Sequence, residues 1–136
     1  MEEIMREIEF RGKDRTGIMN HSWFYGSLDL QFNPKFPKII CKDRFDNEIS
    51  VYVNPGTVGQ YTGLKDKNGK KIFEGDIILH TLANEKYKVI WKIGLGFRLE
   101  RISQIKFDGF CLDEEFCDTY AQVIGNEHDN PELLRC

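Results

Sequence analysis

The sequence predicts a mainly β protein with a small amount of α-helix, and three observations lead to that prediction. Apolar and polar residues alternate with a period of two along most of the chain, which is typical of strands with one buried face. Glycine, asparagine and aspartate separate these runs, as they do in antiparallel hairpins. Helix signals are confined to two short segments, 112–120 and 130–134.

Alternation in the first half of the chain predicts strands over 7–10, 23–32, 37–41 and 48–53. In the segment "WFYGSLDLQF" four apolar residues share the predicted buried face, namely Phe24, Leu28, Leu30 and Phe32. Trp23 and Tyr25 fall on the opposite face of that strand. In "EISVYV" the buried face takes Ile49, Val51 and Val53, so that Tyr52 is predicted to point outward.

The stretch "GQYTGLKDKNGKKIFEGDII", residues 59–78, predicts a strand, a tight turn, a return strand, a kink and a further strand. Asn68-Gly69 favours a type I′ turn, in which both central residues have positive φ. Gly75 permits a sharp bend within Glu74-Gly75-Asp76. This sequence of elements is how a small β-barrel turns a corner, and it predicts an SH3-like barrel in the C-terminal half with additional N-terminal strands.

The segment "KYKVIWKI" is the clearest alternating strand of the C-terminal half. Its predicted buried face consists of Tyr87, Val89, Trp91 and Ile93, with lysines on the other face. We expect Trp91 to be a core residue of the barrel. In "GFRLE" the inward residues are Phe97 and Leu99.

Length and composition indicate one soluble globular domain, 1–136, with a core of its own. The chain has 136 residues, of which 40% are hydrophobic and 30% are charged. A seam near Asn54-Pro55-Gly56 separates two possible sub-parts, 1–54 and 55–136. The net charge of −3 and the absence of long blocks of like charge do not indicate a nucleic-acid coat, although a local basic patch remains compatible with them.

The chain is expected to be cytoplasmic and not membrane-bound. Its first residues, "MEEIMREIEF", lack the basic start and apolar run of a secretory signal. No stretch approaches the ~20 apolar residues that span a bilayer. The four cysteines fit free thiols in that compartment, because their spacing matches no disulfide scaffold and no CxxC pair; they are Cys41, Cys111, Cys117 and Cys136.

Several segments together resemble the YopX family of phage and prophage proteins. The likeness is carried by the stretch 59–78, by "REIEFRGKD" followed by "WFYGSL", by "VIWKIGLGFRL" and by "VIGNEHDNPELL". It spans nearly the whole chain, except the loop "DRTGIMNHS" and the region 101–120. The resemblance implies a phage or prophage origin, a mainly β fold with an SH3-like barrel, and assembly into a homo-oligomer. It transfers no biochemical activity and no catalytic residue.

The residue patterns give no catalytic, metal or cofactor site. A phosphate-binding loop is excluded in "GLKDKNGKK", because five residues separate Gly63 from Gly69 and Lys71 stands where a hydroxyl is required. The calcium-loop spacing and its terminal glutamate are absent. The cysteines and histidines lack the paired short spacings of structural zinc sites. No nucleophile elbow occurs. We therefore expect no enzyme activity and no cofactor.

Two kinds of contact surface remain as hypotheses. Four lysines crowd the predicted hairpin tip with one tyrosine beside them, which is how small β-barrels bind single-stranded nucleic acid; the candidates are Lys65, Lys67, Lys70, Lys71 and Tyr61. The alternative for these lysines is a solubilising turn. Three aromatic residues on outward faces, Trp23, Tyr25 and Tyr52, indicate either an interface with another chain or a second core layer. The expected partners are a second copy of the chain, a host or phage protein, or nucleic acid.

Overall fold

The computed structural model describes residues 7–31, 33–102 and 110–135, and the chain divides into two compact units, Met1–Tyr61 and Thr62–Cys136. The division lies within a strand, a few residues after the seam that the sequence suggests. Phe32 and Cys136 lie outside the described residues. No helix in the described residues is long and apolar enough to cross a membrane.

About half of the described residues lie in β-strands and few lie in helices, which confirms a mainly β protein. The strands of the N-terminal unit are β1 Phe10–Lys13, β2 Trp23–Asp29, β3 Lys38–Lys42, β4 Glu48–Tyr52 and the first residues of β5 Gly59–Lys65. Those of the C-terminal unit are the end of β5, β6 Lys71–Phe73, β7 Asp76–His80, β8 Glu85–Lys92, β9 Gly96–Arg101, β10 Phe110–Cys111 and β11 Ala121–Asn126. The helices are α1 Glu114–Thr119 and two 3₁₀ turns, Pro55–Thr57 and Pro131–Leu134.

The N-terminal unit is an antiparallel sheet in the order β4-β3-β2-β1-β5. One face of the sheet carries its core, in which Ile39, Val51 and Val53 are buried. Phe24, Leu28 and Ile49 pack against these residues, as the alternation predicts. Leu30, a further predicted member of the β2 face, lies beyond the end of the strand and is exposed.

A glycine in β2 allows the close approach of the neighbouring strand. A Cβ at Gly26 would collide with the backbone carbonyl of Ile40. Ser27 is the register partner of Ile40, so the approach lies within the paired stretch of β2 and β3. The glycine of the "WFYGSL" segment therefore has a packing reason.

The C-terminal unit contains a five-stranded antiparallel sheet in the order β10-β9-β8-β7-β11. Its buried core lies between this sheet, β6 and α1, and consists of Ile72, Ile78, Tyr87, Val89, Leu99, Phe116, Cys117 and Ala121. In the described residues the sheet is open, with β10 and β11 at its two edges. The SH3-like barrel that the sequence suggests is therefore not confirmed.

The prediction that Trp91 and Ile93 are core residues is wrong. Their side chains are 52% and 96% exposed, whereas Tyr87 and Val89 on the same face of β8 are buried. The alternation identifies the face correctly, but β8 extends past the core, whose last member on this strand is Val89. Beyond it, Trp91 has an edge-to-face contact with Phe97, at 4.9 Å between ring centroids.

Both predicted helical segments are present. Asp113 caps α1, because its Oδ1 accepts the N–H of Phe116 at 2.7 Å. Two glutamates fill the first turn, where negative charge is favourable. The segment near the C-terminus forms a 3₁₀ turn that begins at Pro131, the first helical position.

Truncation of Trp91 and of Leu99 should have very different effects on stability. Trp91→Ala should lower the free energy of unfolding by about 1 kcal/mol, because the residue is 52% exposed and lies outside the buried core. Leu99→Ala should lower it by about 2–5 kcal/mol, because it leaves a cavity in the core. Urea denaturation measures both, and equal losses for the two variants would contradict the exposed position of Trp91.

Candidate functional site

The lysine-rich turn between β5 and β6 is built around a buried carboxylate. Asp66 is 4% exposed, and its Oδ1 accepts the N–H groups of Asn68 and Lys70, each at 2.9 Å. Its Oδ2 accepts the N–H of Val123 at 2.9 Å, which ties the turn to β11. Both carboxylate oxygens of Asp66 therefore accept backbone hydrogen bonds inside the unit.

The turn itself differs from the predicted type I′. Only Gly69 of the central pair has positive φ, at +82°, whereas Asn68 does not. The N–H of Gly69 donates to the carbonyl of Asp66 at 2.9 Å, and the N–H of Asp66 donates to the carbonyl of Lys70 at 2.8 Å. This is the three-residue hairpin in which a type I turn is followed by a left-handed glycine. Asn-Gly fits both turns, so the dipeptide alone does not distinguish them.

The structure separates the members of the predicted nucleic-acid group. Lys65, Lys67 and Lys70 are exposed at the turn, while Lys71 is half-buried. Tyr61 is 3% exposed, and its N–H donates to the carbonyl of Glu9. A buried ring has no free face on which a base could stack, so Tyr61 cannot serve as the predicted stacking residue in this structure.

The three aromatic residues predicted on outward faces lie on the face of the N-terminal sheet that points away from its core. Trp23 is half-buried beneath two cations, with the Arg11 guanidinium 4.6 Å and the Lys13 ammonium 5.7 Å from the ring centroid. Tyr25 and Tyr52 are nearly half exposed. Among the described residues no second apolar layer buries these two tyrosines, which favours the interface hypothesis over a second core layer.

The loop after β1 is organised by a second buried carboxylate, Asp14. Its Oδ1 accepts from the N–H and the hydroxyl of Thr16, at 3.1 and 2.8 Å, and its Oδ2 accepts from the N–H of Met19 at 2.8 Å. Burial would raise the pKa of the Asp14 carboxyl, but these hydrogen bonds outweigh it and hold the pKa below its usual range. A backbone bridge to Val53 joins this loop to the end of β4.

This loop forms one wall of an open cavity of about 440 Å³ in the N-terminal unit. Its described lining residues come from the Asp14 loop, the β2–β3 connection, β3 and β4; they are Arg15, Thr16, Asn33, Phe36, Lys38 and Tyr52. Of these, the sequence singles out only Tyr52. Arg15 and Phe36 belong to segments with turn-like composition and no period, so no sequence signal marks them.

The turn between β8 and β9 has a group of exposed apolar side chains that the sequence did not mark as exposed. We call it the apolar turn and define it by the side chains of Trp91, Ile93 and Leu95, all of which are more than half exposed. The N–H of Leu95 donates to the carbonyl of Lys92 at 3.0 Å, and Gly94 has a φ of +81°. The glycine permits the tight turn, which leaves Ile93 and Leu95 at its tip.

Cys41 and Cys117 do not have the surroundings of reactive thiols, because both lie partly or fully out of solvent and have raised pKa values. Burial raises the pKa of Cys117 to about 12, and the neighbouring carboxylates of Asp113 and Asp118 add to the shift. Burial also raises the pKa of Cys41. Cys111 is exposed, and its sulfur accepts a hydrogen bond from the Arg98 guanidinium at 3.4 Å. Within the described residues, no group of three or more His, Cys, Asp or Glu side chains is placed to hold a metal ion.

Comparison with known proteins bears on the family and the fold. The family model described as YopX protein matches residues 4–135, which confirms the resemblance seen in the sequence. The crystal structure of protein EF1440 from Enterococcus faecalis is similar, with a TM-score of 0.53 and 24% sequence identity. The alignment covers 96% of this chain and 100% of that chain, and at this identity it shows the fold alone. No curated protein matches the chain.

Replacement of Asp14 by asparagine should destabilise the protein in a pH-dependent way. Because the folded-state pKa of Asp14 lies below its unfolded value, the contribution of the carboxylate is complete above about pH 4. It is lost as the pH falls through the folded-state pKa, when the native carboxylate is protonated. The gap in melting temperature between the wild type and Asp14→Asn should therefore be large near pH 7 and shrink toward about pH 3.

The matched control for this prediction is Asp46→Asn. The Asp46 side chain is 84% exposed and forms a surface ion pair with Lys42, at 3.4 Å. Its loss should change the melting temperature little at either pH. A gap for Asp14→Asn that is equally large at both pH values would contradict the proposed role of the Asp14 charge.

Proposed function

This chain belongs to the YopX family, and on that premise we propose that it is a non-enzymatic phage or prophage accessory protein that acts in the host cytoplasm by binding protein. Its partner is a second copy of itself or a host or phage protein. The main support for the proposal is the apolar turn, in which Ile93 and Leu95 stand exposed at the tip of a hairpin and Trp91 is half exposed near the end of β8. Exposed apolar side chains clustered at one place are typical of protein interfaces.

The apolar turn is a stronger candidate interface than the aromatic face of the N-terminal sheet. Ile93 is 96% exposed and has no polar atom in its side chain, so its burial against a partner is favourable without any new hydrogen bond. Tyr25 and Tyr52 carry hydroxyl groups, and a cation lies 4.8 Å from the Tyr52 ring centroid. A partner at that face would have to satisfy these polar groups.

A charged substitution in the apolar turn should dissociate the assembly. Multi-angle light scattering of the wild type should give at least twice the 15.9 kDa mass of one chain. Ile93→Asp should give the monomer mass, because a buried aspartate at the interface would be unpaired. The matched control is Leu82→Asp, which places the same charge on another exposed aliphatic residue of a turn in the C-terminal unit and should leave the mass unchanged.

A wild type that scatters as a 15.9 kDa monomer at about 100 µM would remove the self-assembly form of the proposal. Pull-down from induced host cells then tests the second form. A specific partner should be captured by the wild type and by Leu82→Asp, and lost with Ile93→Asp. Equal capture by all three proteins would contradict the apolar turn as the interface.

Nucleic-acid binding at the lysine turn is a second candidate function, and the inward position of Asp66 favours it. The carboxylate accepts three backbone N–H groups inside the unit, so the exposed charges at the turn are those of Lys65, Lys67 and Lys70. Single-stranded nucleic acid binds largely through such backbone-neutralising cations. With Tyr61 buried, we expect binding without a stacking contribution from that ring.

Fluorescence anisotropy with a labelled single strand of about 20 nucleotides tests this candidate at low salt. The double variant Lys67→Gln, Lys70→Gln should reduce the slope of log affinity against log salt by about 1.4, at about 0.7 for each lost phosphate contact. A charge-matched control is Lys42→Gln with Lys92→Gln, two exposed lysines that are not part of the turn. No binding by the wild type, or equal slopes for both double variants, would exclude the lysine turn as the binding site.

A further inference from the structure

We propose that the cavity of the N-terminal unit binds a small ligand that joins a planar ring to an anionic group, with a nucleoside monophosphate as its simplest form. The proposal does not depend on the protein-binding function or on the lysine turn, because its residues belong to neither. The cavity has a volume of about 440 Å³, which falls in the range of roughly 300–1,000 Å³ that is usual for small-molecule sites.

The charge of the cavity wall selects an anion. Two of the described lining residues, Arg15 and Lys38, are cations, and no described lining residue is a carboxylate. Within the described residues, no carboxylate forms an ion pair with the Arg15 guanidinium. The guanidinium lies instead over the Phe36 ring, 4.5 Å from the ring centroid. A ring face holds a guanidinium in position without neutralising its charge, so the edge of Arg15 keeps donors that match a phosphate.

The aromatic part of the wall selects a planar group. The rings of Phe36 and Tyr52 line the cavity and are each more than two-fifths exposed, so they offer apolar surface to a ligand. Each ring already lies against one cation, Arg15 or Lys38. Ring and cation are therefore adjacent at Phe36 and Arg15, where a ligand that carries a ring and a phosphate can contact both at once.

The polar groups of the wall have different roles. The Asn33 side chain accepts the N–H of Lys35 through Oδ1 at 2.9 Å, which leaves its Nδ2 as a donor for a ligand. The Thr16 hydroxyl donates to Asp14 at 2.8 Å and accepts from the N–H of Ile18 at 3.2 Å. Thr16 is thus committed to the loop, and we assign it a shaping role.

Backbone hydrogen bonds fix the two walls relative to each other before any ligand arrives. The N–H of Arg15 donates to the carbonyl of Tyr52 at 2.9 Å. Asp14 holds the same loop through its carboxylate, and the N–H of Asp14 donates to the carbonyl of Ser22 at 3.0 Å. A prearranged wall loses little conformational freedom on binding, which favours affinity for a small ligand.

Isothermal titration calorimetry of the full chain with three probes tests the ring and the charge separately. Adenosine monophosphate carries both groups, adenosine carries the ring alone, and inorganic phosphate carries the charge alone. We expect saturable binding of adenosine monophosphate, at least about tenfold tighter than either of the other probes. Binding no tighter than that of phosphate, or none up to about 1 mM, would overturn the proposal.

Two matched pairs of variants locate the site. Arg15→Gln should weaken binding of adenosine monophosphate by about tenfold, because a charge-assisted hydrogen bond to phosphate is lost. Arg44→Gln is the control, since the Arg44 guanidinium lies over an exposed ring in the same way, 5.2 Å from the Phe45 centroid, but neither residue lines the cavity. Phe36→Leu should likewise weaken binding more than Phe45→Leu.

Melting temperatures check that all four variants remain folded, which we expect because the Arg15 N–H can still donate to the Tyr52 carbonyl after the side-chain change. Equal affinity of Arg15→Gln and Arg44→Gln for adenosine monophosphate would place the ligand elsewhere and overturn the proposal. Competition with an acidic peptide of glutamates adds one more outcome. Full displacement of adenosine monophosphate by that peptide at equal concentration would show that charge alone suffices, and it would overturn the requirement for a planar ring.

Discussion

Two buried aspartates, Asp14 and Asp66, hold the loop of the N-terminal cavity and the lysine turn, two of the three candidate sites. Each carboxylate is less than 5% exposed and accepts at least two backbone N–H groups. A buried carboxylate is stable only where such donors replace the water that it has lost, so each of these turns has one favourable conformation. In both turns the residue after the aspartate is an exposed cation, Arg15 or Lys67. The inward anion and the outward cation are two results of the same local arrangement.

This arrangement explains why the net charge of −3 says little about the surface near either turn. A carboxylate whose oxygens accept backbone hydrogen bonds inside the protein has its field largely compensated by the amide dipoles around it. From the sequence, Asp66 lowers the charge of the lysine turn by one. In the structure its oxygens point into the unit, toward the amides of the turn and of Val123. The potential that a ligand meets is set by which charges face outward, and formal composition does not contain that information.

Periodicity predicted most of the strands, because a half-buried strand must place apolar side chains on one face. The faces of β4 and β9 are confirmed by the buried side chains of Val51 and Leu99. Periodicity could not predict depth, and Trp91 shows why. Trp91 is two residues beyond Val89 on the same face of β8, and it lies past the end of the core. How far a strand extends beyond its core depends on the elements packed against it, and the apolar–polar alternation of one strand contains no information about those elements. Whether a sheet closes into a barrel likewise depends on which strands pair at its edges, and the alternation within one strand does not show this.

The cavity of the N-terminal unit illustrates the same limit at the level of a site. The outward direction of Tyr52 followed from alternation, but its neighbours did not, because they come from three other segments of the chain. Pairing of β3 with β4 places Lys38 directly opposite Tyr52, and a backbone hydrogen bond brings Arg15 beside it. A shift of this pairing by one residue would turn Tyr52 toward the core and separate the ring from its cation. The chemistry of the cavity is therefore a consequence of strand register, which the buried side chains of Ile39 and Val51 fix from the opposite face of the sheet.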